Sequence, residues 1–208
     1  MTPPGDDDLD DVVPDDPAGP RRRPGGRSAR VRETVLAAVL EQIADSGVNG
    51  VRVADVAARA GVAETTVYRR WPTPTALIAD AITDLAAREN PSPDTGSLRG
   101  DLIRLTEQIA QLLDGPGIAR LLGAALALAN DAEVAVARQR FWDLRFDSNA
   151  HLVERAKARG ELPAEVEPRE LLETVAAPIY FRVLVGGAPF DAAFINRCVD
   201  DALTIHQR

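Results

Sequence analysis

Gly61 separates two stretches that each repeat apolar residues at helical spacing, and neither is long enough to be a stable helix alone. Before it, Val53, Val56, Ala57 and Ala60 fall at i, i+3, i+4 and i+7, one face of an α-helix. Glycine reaches positive φ without strain, so Gly61 stops that helix and turns the chain. A second helix fits from Ala63 or Glu64 to Trp71, ahead of Pro72. Two short helices around a glycine turn form either a helix-turn-helix, whose second helix enters the DNA major groove, or an ordinary αα-corner with a solvated face.

The second helix resolves into faces at about 100° per residue. Measured from Ala63, Val67 lies near 40° and Trp71 near 80°, and these two face inward. Thr65 and Arg69 fall near 200° and 240°, on the opposite side, flanked by Thr66 and Tyr68. Hydroxyls, a phenol and guanidinium groups suit base edges and phosphates. The candidate DNA-binding residues are therefore Thr65, Thr66, Tyr68 and Arg69, with Glu64, Arg70 and Arg52 beside them.

The run from Ala60 to Trp71, A-G-V-A-E-T-T-V-Y-R-R-W, closely resembles the DNA-binding signature of the tetracycline-repressor (TetR) family. In that family A-G-V makes the turn, a hydroxyl–aliphatic–Tyr triplet (here Thr66, Val67, Tyr68) lies on the recognition helix, and an aromatic closes it. The resemblance extends over roughly residues 28 to 90. The chain departs from the pattern at Arg52 and Ala63, where the family often has a capping Ser or Thr, and at Pro74, where it usually has a phosphate-binding Lys. The resemblance implies an all-α protein whose C-terminal helices enclose a small-molecule pocket and pair with a second subunit. On that implication Leu126, Trp142, Phe146 and Tyr180 are ligand-binding candidates, although each reads equally well as a core residue.

A net charge of −8 looks wrong for a DNA binder until it is divided along the chain. Residues 1–20 hold seven aspartates and no base, whereas residues 21–75 hold ten arginines against five acids. The rest is acidic again, so positive charge gathers around the motif. Residues 1–27 have almost nothing apolar to bury and are expected to be disordered. Arg21, Arg22, Arg23 and Arg27 at the end of that segment suit an arm laid along phosphates or in a minor groove, or a solvated tail. The acidic start is unlike a signal peptide, no run of apolar residues spans a membrane, and the single Cys198 fits a reducing compartment. The expected location is cytoplasmic.

Helical spacing recurs along the remainder. Val31, Val35, Val39 and Ile43 predict a helix from Ser28 to Ser46, closed by Gly47. Thr73-Pro74 reads as the cap and first residue of a fourth helix, and the stretch 91–96 breaks the chain. Helices follow over Leu98–Asp114, from Pro116 to about Ala129, from an Asn130/Glu133 capping pair to Arg159, from Pro168 to about Val185 with a bend at Pro178, and after Asp191. The helix before Arg159 carries apolar stripes on two sides, Trp142/Phe146/Val153 and Val134/Phe141/Leu144/Leu152, which predicts a central position. Broad stripes over Val175–Val183 and Phe194–Leu203 predict a homodimer seam that includes Val199.

No Ser/His/Asp order, P-loop, dinucleotide fingerprint or metal-ligand spacing is present, so neither an enzyme, a cofactor nor a metal is expected. The sequence divides into an arm (1–27), a helix-turn-helix domain (28–75) and a ligand-binding and dimerisation domain (76–208). It reads as an all-α homodimeric repressor, released from a palindromic double-stranded DNA operator by a small-molecule effector, with no membrane partner. The alternative is a helical protein–protein adaptor that retains the corner without reading DNA.

Overall fold

The computed structural model of the protein describes residues 26–115, 118 and 131–207. Arg21 to Arg23, the acidic tail, Leu126 and most of the helix expected after Pro116 lie outside these residues. The described chain holds eight α-helices and no strand: α1 Gly26–Ser46, α2 Val53–Ala60, α3 Glu64–Arg70, α4 Pro74–Glu89, α5 Leu98–Asp114, α6 Ala132–Ala158, α7 Pro168–Phe181 and α8 Ala192–His206. A 3₁₀ turn, Val48–Gly50, follows α1, and a π-helical turn, Arg182–Gly186, follows α7.

Two apolar cores organise these helices. Val35, Leu36, Val39 and Ile43 of α1 pack with Val53, Val56 and Ala57 of α2, Val67 of α3, Trp71, and Leu77 and Ala81 of α4. The second core joins α5 (Leu98, Leu102, Leu105, Ile109), α6 (Leu152, Val153, Ala156), α7 (Leu171, Leu172, Val175, Ile179) and α8 (Ile195, Cys198, Val199, Leu203). Cys198 is thus a small buried hydrophobe, and burial pushes its thiol up. The helix ends follow local chemistry. The Thr73 hydroxyl accepts from Ala76 N–H at 3.1 Å with Pro74 in the first turn, and Asp191 caps α8 through Phe194 N–H.

Several expectations need correction. Helix α1 begins at Gly26, so Arg27 lies in its first turn and not in the arm. The cap of α6 is Asp131, whose carboxylate accepts from Glu133 and Val134 N–H at 3.0 Å each, and not Asn130. Nor is α6 buried on two sides. Its fully buried residues, Asn149 to Ala156, all lie in its C-terminal half against α5 and α7, while Val136 and Leu144 are exposed. Periodicity records an apolar face without recording what covers it. Val199 is 0 % exposed within its own subunit, so it belongs to the core and not to a seam. The large apolar side chains left outside on this side of the bundle are Phe181, Val185 and Ile205.

Candidate functional site

The corner between α2 and α3 is closed by two backbone hydrogen bonds. Val62 N–H donates to Ala57 C=O at 3.0 Å and Gly61 N–H to Ala58 C=O at 3.2 Å, the paired bonds of a Schellman turn. That turn needs a left-handed residue, and Gly61 supplies it at φ 66°. The missing caps leave visible consequences. Ala63 and Arg52 are both extended and offer no side-chain cap. The Arg52 N–H is satisfied instead from α1, by Gln42 Oε1 at 3.2 Å, and the Gln42 amide reaches Asp55 of α2 at 3.4 Å. Gln42 is buried, so it ties the entry of α2 to α1 without any local capping residue.

Helix α3 is seven residues long and depends on its anchors. Val67 is 0 % exposed and Trp71 5 %, and burying a side chain of this size stabilises by about 1.5–3 kcal/mol. Glu64, Thr65, Tyr68, Arg69 and Arg70 all point to solvent, and Thr66 is half-buried beside them. Arg52 is exposed at the start of α2, and Arg27 at the start of α1. The inward and outward faces read from the sequence are therefore the faces observed. Arg70 also lies 5.4 Å from the Trp71 ring centre, a cation–π contact that draws its guanidinium toward the end of the helix.

Asp80 is the residue that sequence reasoning missed. Its Oδ2 accepts from Trp71 Nε1 at 2.9 Å and from Arg32 Nε at 3.2 Å, and its Oδ1 accepts from Arg32 Nη2 at 2.7 Å. Arg32 continues to Asp84 Oδ1 at 2.6 Å. One carboxylate thus joins α1, the end of α3 and α4. Burial pushes the Asp80 carboxyl up, but hydrogen bonds from Arg32 and Trp71 outweigh it and hold the group below the usual carboxylate range. Two signals were available: a buried indole N–H needs an acceptor, and Asp80 and Asp84 stand one turn apart on a largely apolar helix.

The structure brings three of the four ligand-binding candidates together. Trp142 stacks on Phe146 with ring centres 5.8 Å apart and meets Tyr180 edge-on at 5.1 Å. Phe146 and Tyr180 lean on the second core, and Arg169 stands 4.6 Å over the Phe146 ring. Burial pushes the Tyr180 phenol up to about 12, so it is a neutral hydroxyl at physiological pH. That hydroxyl makes no hydrogen bond among the described residues.

Arg145 lies between this cluster and the DNA-binding helices. Its guanidinium donates to Ala86 C=O at 3.2 Å and Asn90 C=O at 3.1 Å, the carbonyls that end α4. A cation at a helix C-terminus is favourable, and here it takes the place of a carboxylate partner. Burial pushes its guanidinium down. At the other end of the same helix pair, Glu133 accepts a hydrogen bond from the Thr73 hydroxyl that caps α4. Helix α6 is therefore fastened to both ends of α4, a helix of the first core.

Comparison with known proteins gives these arrangements a family. Residues 35–81 match the family model for bacterial regulatory proteins of the tetR family, and residues 92–202 match the tetracyclin repressor-like C-terminal domain. The chain is 34% identical over 184 residues to the HTH-type transcriptional regulator AqdR of Rhodococcus erythropolis, covering 88% of this chain and 89% of that one. It is 31% identical over 173 residues to the DNA-binding transcriptional repressor TetR of Mycobacteroides abscessus, covering 82% of this chain and 90% of that one. The crystal structure of the TetR family transcription regulator SCO0332 superposes with a TM-score of 0.75 at 29% identity, covering 84% of this chain and 97% of that one. These likenesses span both cores, which sets aside the adaptor reading. No helix among the described residues is long and apolar enough to cross a membrane. The chain belongs to the TetR family, whose members are DNA-binding transcriptional regulators and not enzymes.

Proposed function

We propose that this protein is a cytoplasmic, homodimeric repressor that leaves a palindromic operator when a small molecule enters its C-terminal helices. Residues 28–75 form the reading head. Thr65, Thr66, Tyr68 and Arg69 meet base edges, while Arg52, Glu64, Arg70 and the Arg21–Arg23 and Arg27 positions set its place on the backbone. Residues 76–208 take the effector beside Trp142, Phe146 and Tyr180, with Leu126 as a further candidate contact, and carry the subunit interface.

The observation that carries this reading is the Arg145 bridge. A guest that displaces Trp142 or Phe146 shifts the turn of α6 that holds Arg145, and Arg145 holds the end of α4. Helix α4 in turn positions the recognition helix through Asp80 and Trp71. A ligand that fits one arrangement of this chain better than the other shifts the spacing of the two recognition helices. The test is fluorescence anisotropy on selected operator DNA with an effector found by screening. Arg145→Ala should hold the operator but respond to the effector at least about tenfold less, as expected when a coupling of about 1–3 kcal/mol is lost. Undiminished release from that variant would contradict the coupling.

A further inference from the structure

The recognition helix has a counterpart of opposite charge in the same chain. Arg27 and Arg30 in the first turns of α1, and Arg69 and Arg70 at the end of α3, are all exposed. None of the four forms an ion pair among the described residues, whereas Arg32 of α1 and Arg59 of α2 are both paired. The two groups stand side by side. Trp71 Nε1, just past α3, and Arg32 Nε, in the second turn of α1, donate to one oxygen of Asp80 at 2.9 and 3.2 Å. Arg70 lies 5.4 Å from the centre of the same indole. The chain therefore enters α1 beside the end of the recognition helix. Ahead of that entry, seven aspartates fall from Asp6 to Asp16 with no base among them. Asp16 stands ten residues before Gly26, where α1 begins, and ten residues reach up to about 33–36 Å. A seven-residue helix is about 10 Å long, so the acidic run reaches every exposed side chain of α3.

We propose that the acidic segment Asp6–Asp16 docks on the exposed face of α3 in the DNA-free protein, where its carboxylates take the place of DNA phosphates. Carboxylates accept from guanidinium groups as phosphate oxygens do. Arg21 to Arg23 balance fewer than half of the seven charges, which leaves the remainder for the folded face. Because the segment belongs to the same chain, its effective concentration is on the order of millimolar. Duplex DNA must displace it, so the segment subtracts from the affinity of every duplex. Complexes held by phosphates alone start weakest and are lost first. Salt weakens the contact, since the Debye length is only about 10 Å at 0.1 M. The consequence for DNA rests on α3 being the reading helix; the contact itself does not.

A nitroxide on Val12→Cys, combined with Cys198→Ala so that the label has one site, tests the contact without DNA. At about 50 mM salt it should broaden the amide signals of Tyr68, Arg69 and Arg70 in the full-length protein, and the broadening should fade by about 500 mM. Replacing the seven aspartates by asparagine, which keeps the chain length, should abolish it. The second readout is affinity for a random duplex, compared between the full-length protein and one lacking residues 2–20. Each arginine returned to DNA steepens the slope of log affinity against log salt by about 0.9. If the segment holds two arginines, the shortened protein should bind about tenfold tighter at about 50 mM, and the gap should nearly close by about 200 mM. The asparagine protein should match the shortened one. The salt slopes need no label, so they decide the matter if the Cys198→Ala background does not fold. Signals of α3 that stay sharp at low salt, broadening that survives the asparagine replacements, or equal salt slopes for full-length and shortened protein would each overturn the inference. If no duplex binds at all, the reading head is wrong and the nitroxide result alone decides.

Discussion

The indole nitrogen of Trp71 and the carboxylate of Asp80 stand 2.9 Å apart, nine residues distant in the chain and on opposite sides of the turn between α3 and α4. Through Arg32 the same carboxylate reaches α1, so the recognition helix is positioned by a polar joint as well as by its apolar face. A seven-residue helix has little stability of its own. Its orientation depends on what grips its two ends, Val67 in the core and Trp71 at the joint.

Asp80→Asn should therefore cost about 1–3 kcal/mol, the range for disturbing a partly buried, charge-assisted network. Its pH dependence is distinctive. The folded carboxyl lies below its unfolded value, so its contribution is fully present above about pH 4 and is lost as pH falls through the lower, folded value. Thermal melts of wild type and Asp80→Asn should differ by a constant amount near neutrality and converge in acid. A gap that widened on acidification would contradict the assignment.

The two faces of α3 should separate stability from recognition. Val67→Ala removes a fully buried branch and should lower folding stability by about 1–3 kcal/mol. Arg69→Ala, on the exposed face, should leave the melt unchanged and weaken operator binding by about 1–3 kcal/mol. Equal operator affinity for Arg69→Ala and wild type would remove Arg69 from the interface.

Much of this arrangement was legible in the sequence, wherever one local rule decides the outcome. Gly61 had to turn the chain, Thr73-Pro74 and Asp191 had to begin helices, and the period of Val67 and Trp71 had to face inward. What stayed hidden was contact between distant residues. Arg32 and Asp80 are 48 residues apart, and Arg145 reaches Ala86 across 59. Periodicity identifies a polar residue as outward-facing and carries no sign that a distant charge awaits it. The same limit explains Val199 and Leu144. A stripe shows that something covers a side chain, but whether the cover is the same subunit, another subunit or water depends on tertiary placement.

The subunit interface should therefore be sought among side chains left outside the core. Phe181 is 65% exposed and Ile205 61%, on two helices that pack together. Exposed apolar groups of this size favour a second copy. Phe181→Glu with Ile205→Glu should give folded monomers by sedimentation, with operator binding lost. Val199→Glu should instead unfold the subunit, because it places a charge in the core. A wild-type protein that sediments as a monomer at micromolar concentration would defeat the dimer.

The central claim is that two copies of α3 read DNA as a pair. Selection of full-length protein on a randomised duplex library tests it most directly. The account predicts enrichment of a palindrome whose half-sites repeat at about one helical turn, roughly 34–36 Å, or a multiple of it. Arg69→Ala should relax base preference within each half-site and leave the spacing unchanged. A library that stays random after selection, or that yields a single unpaired half-site, would contradict the account.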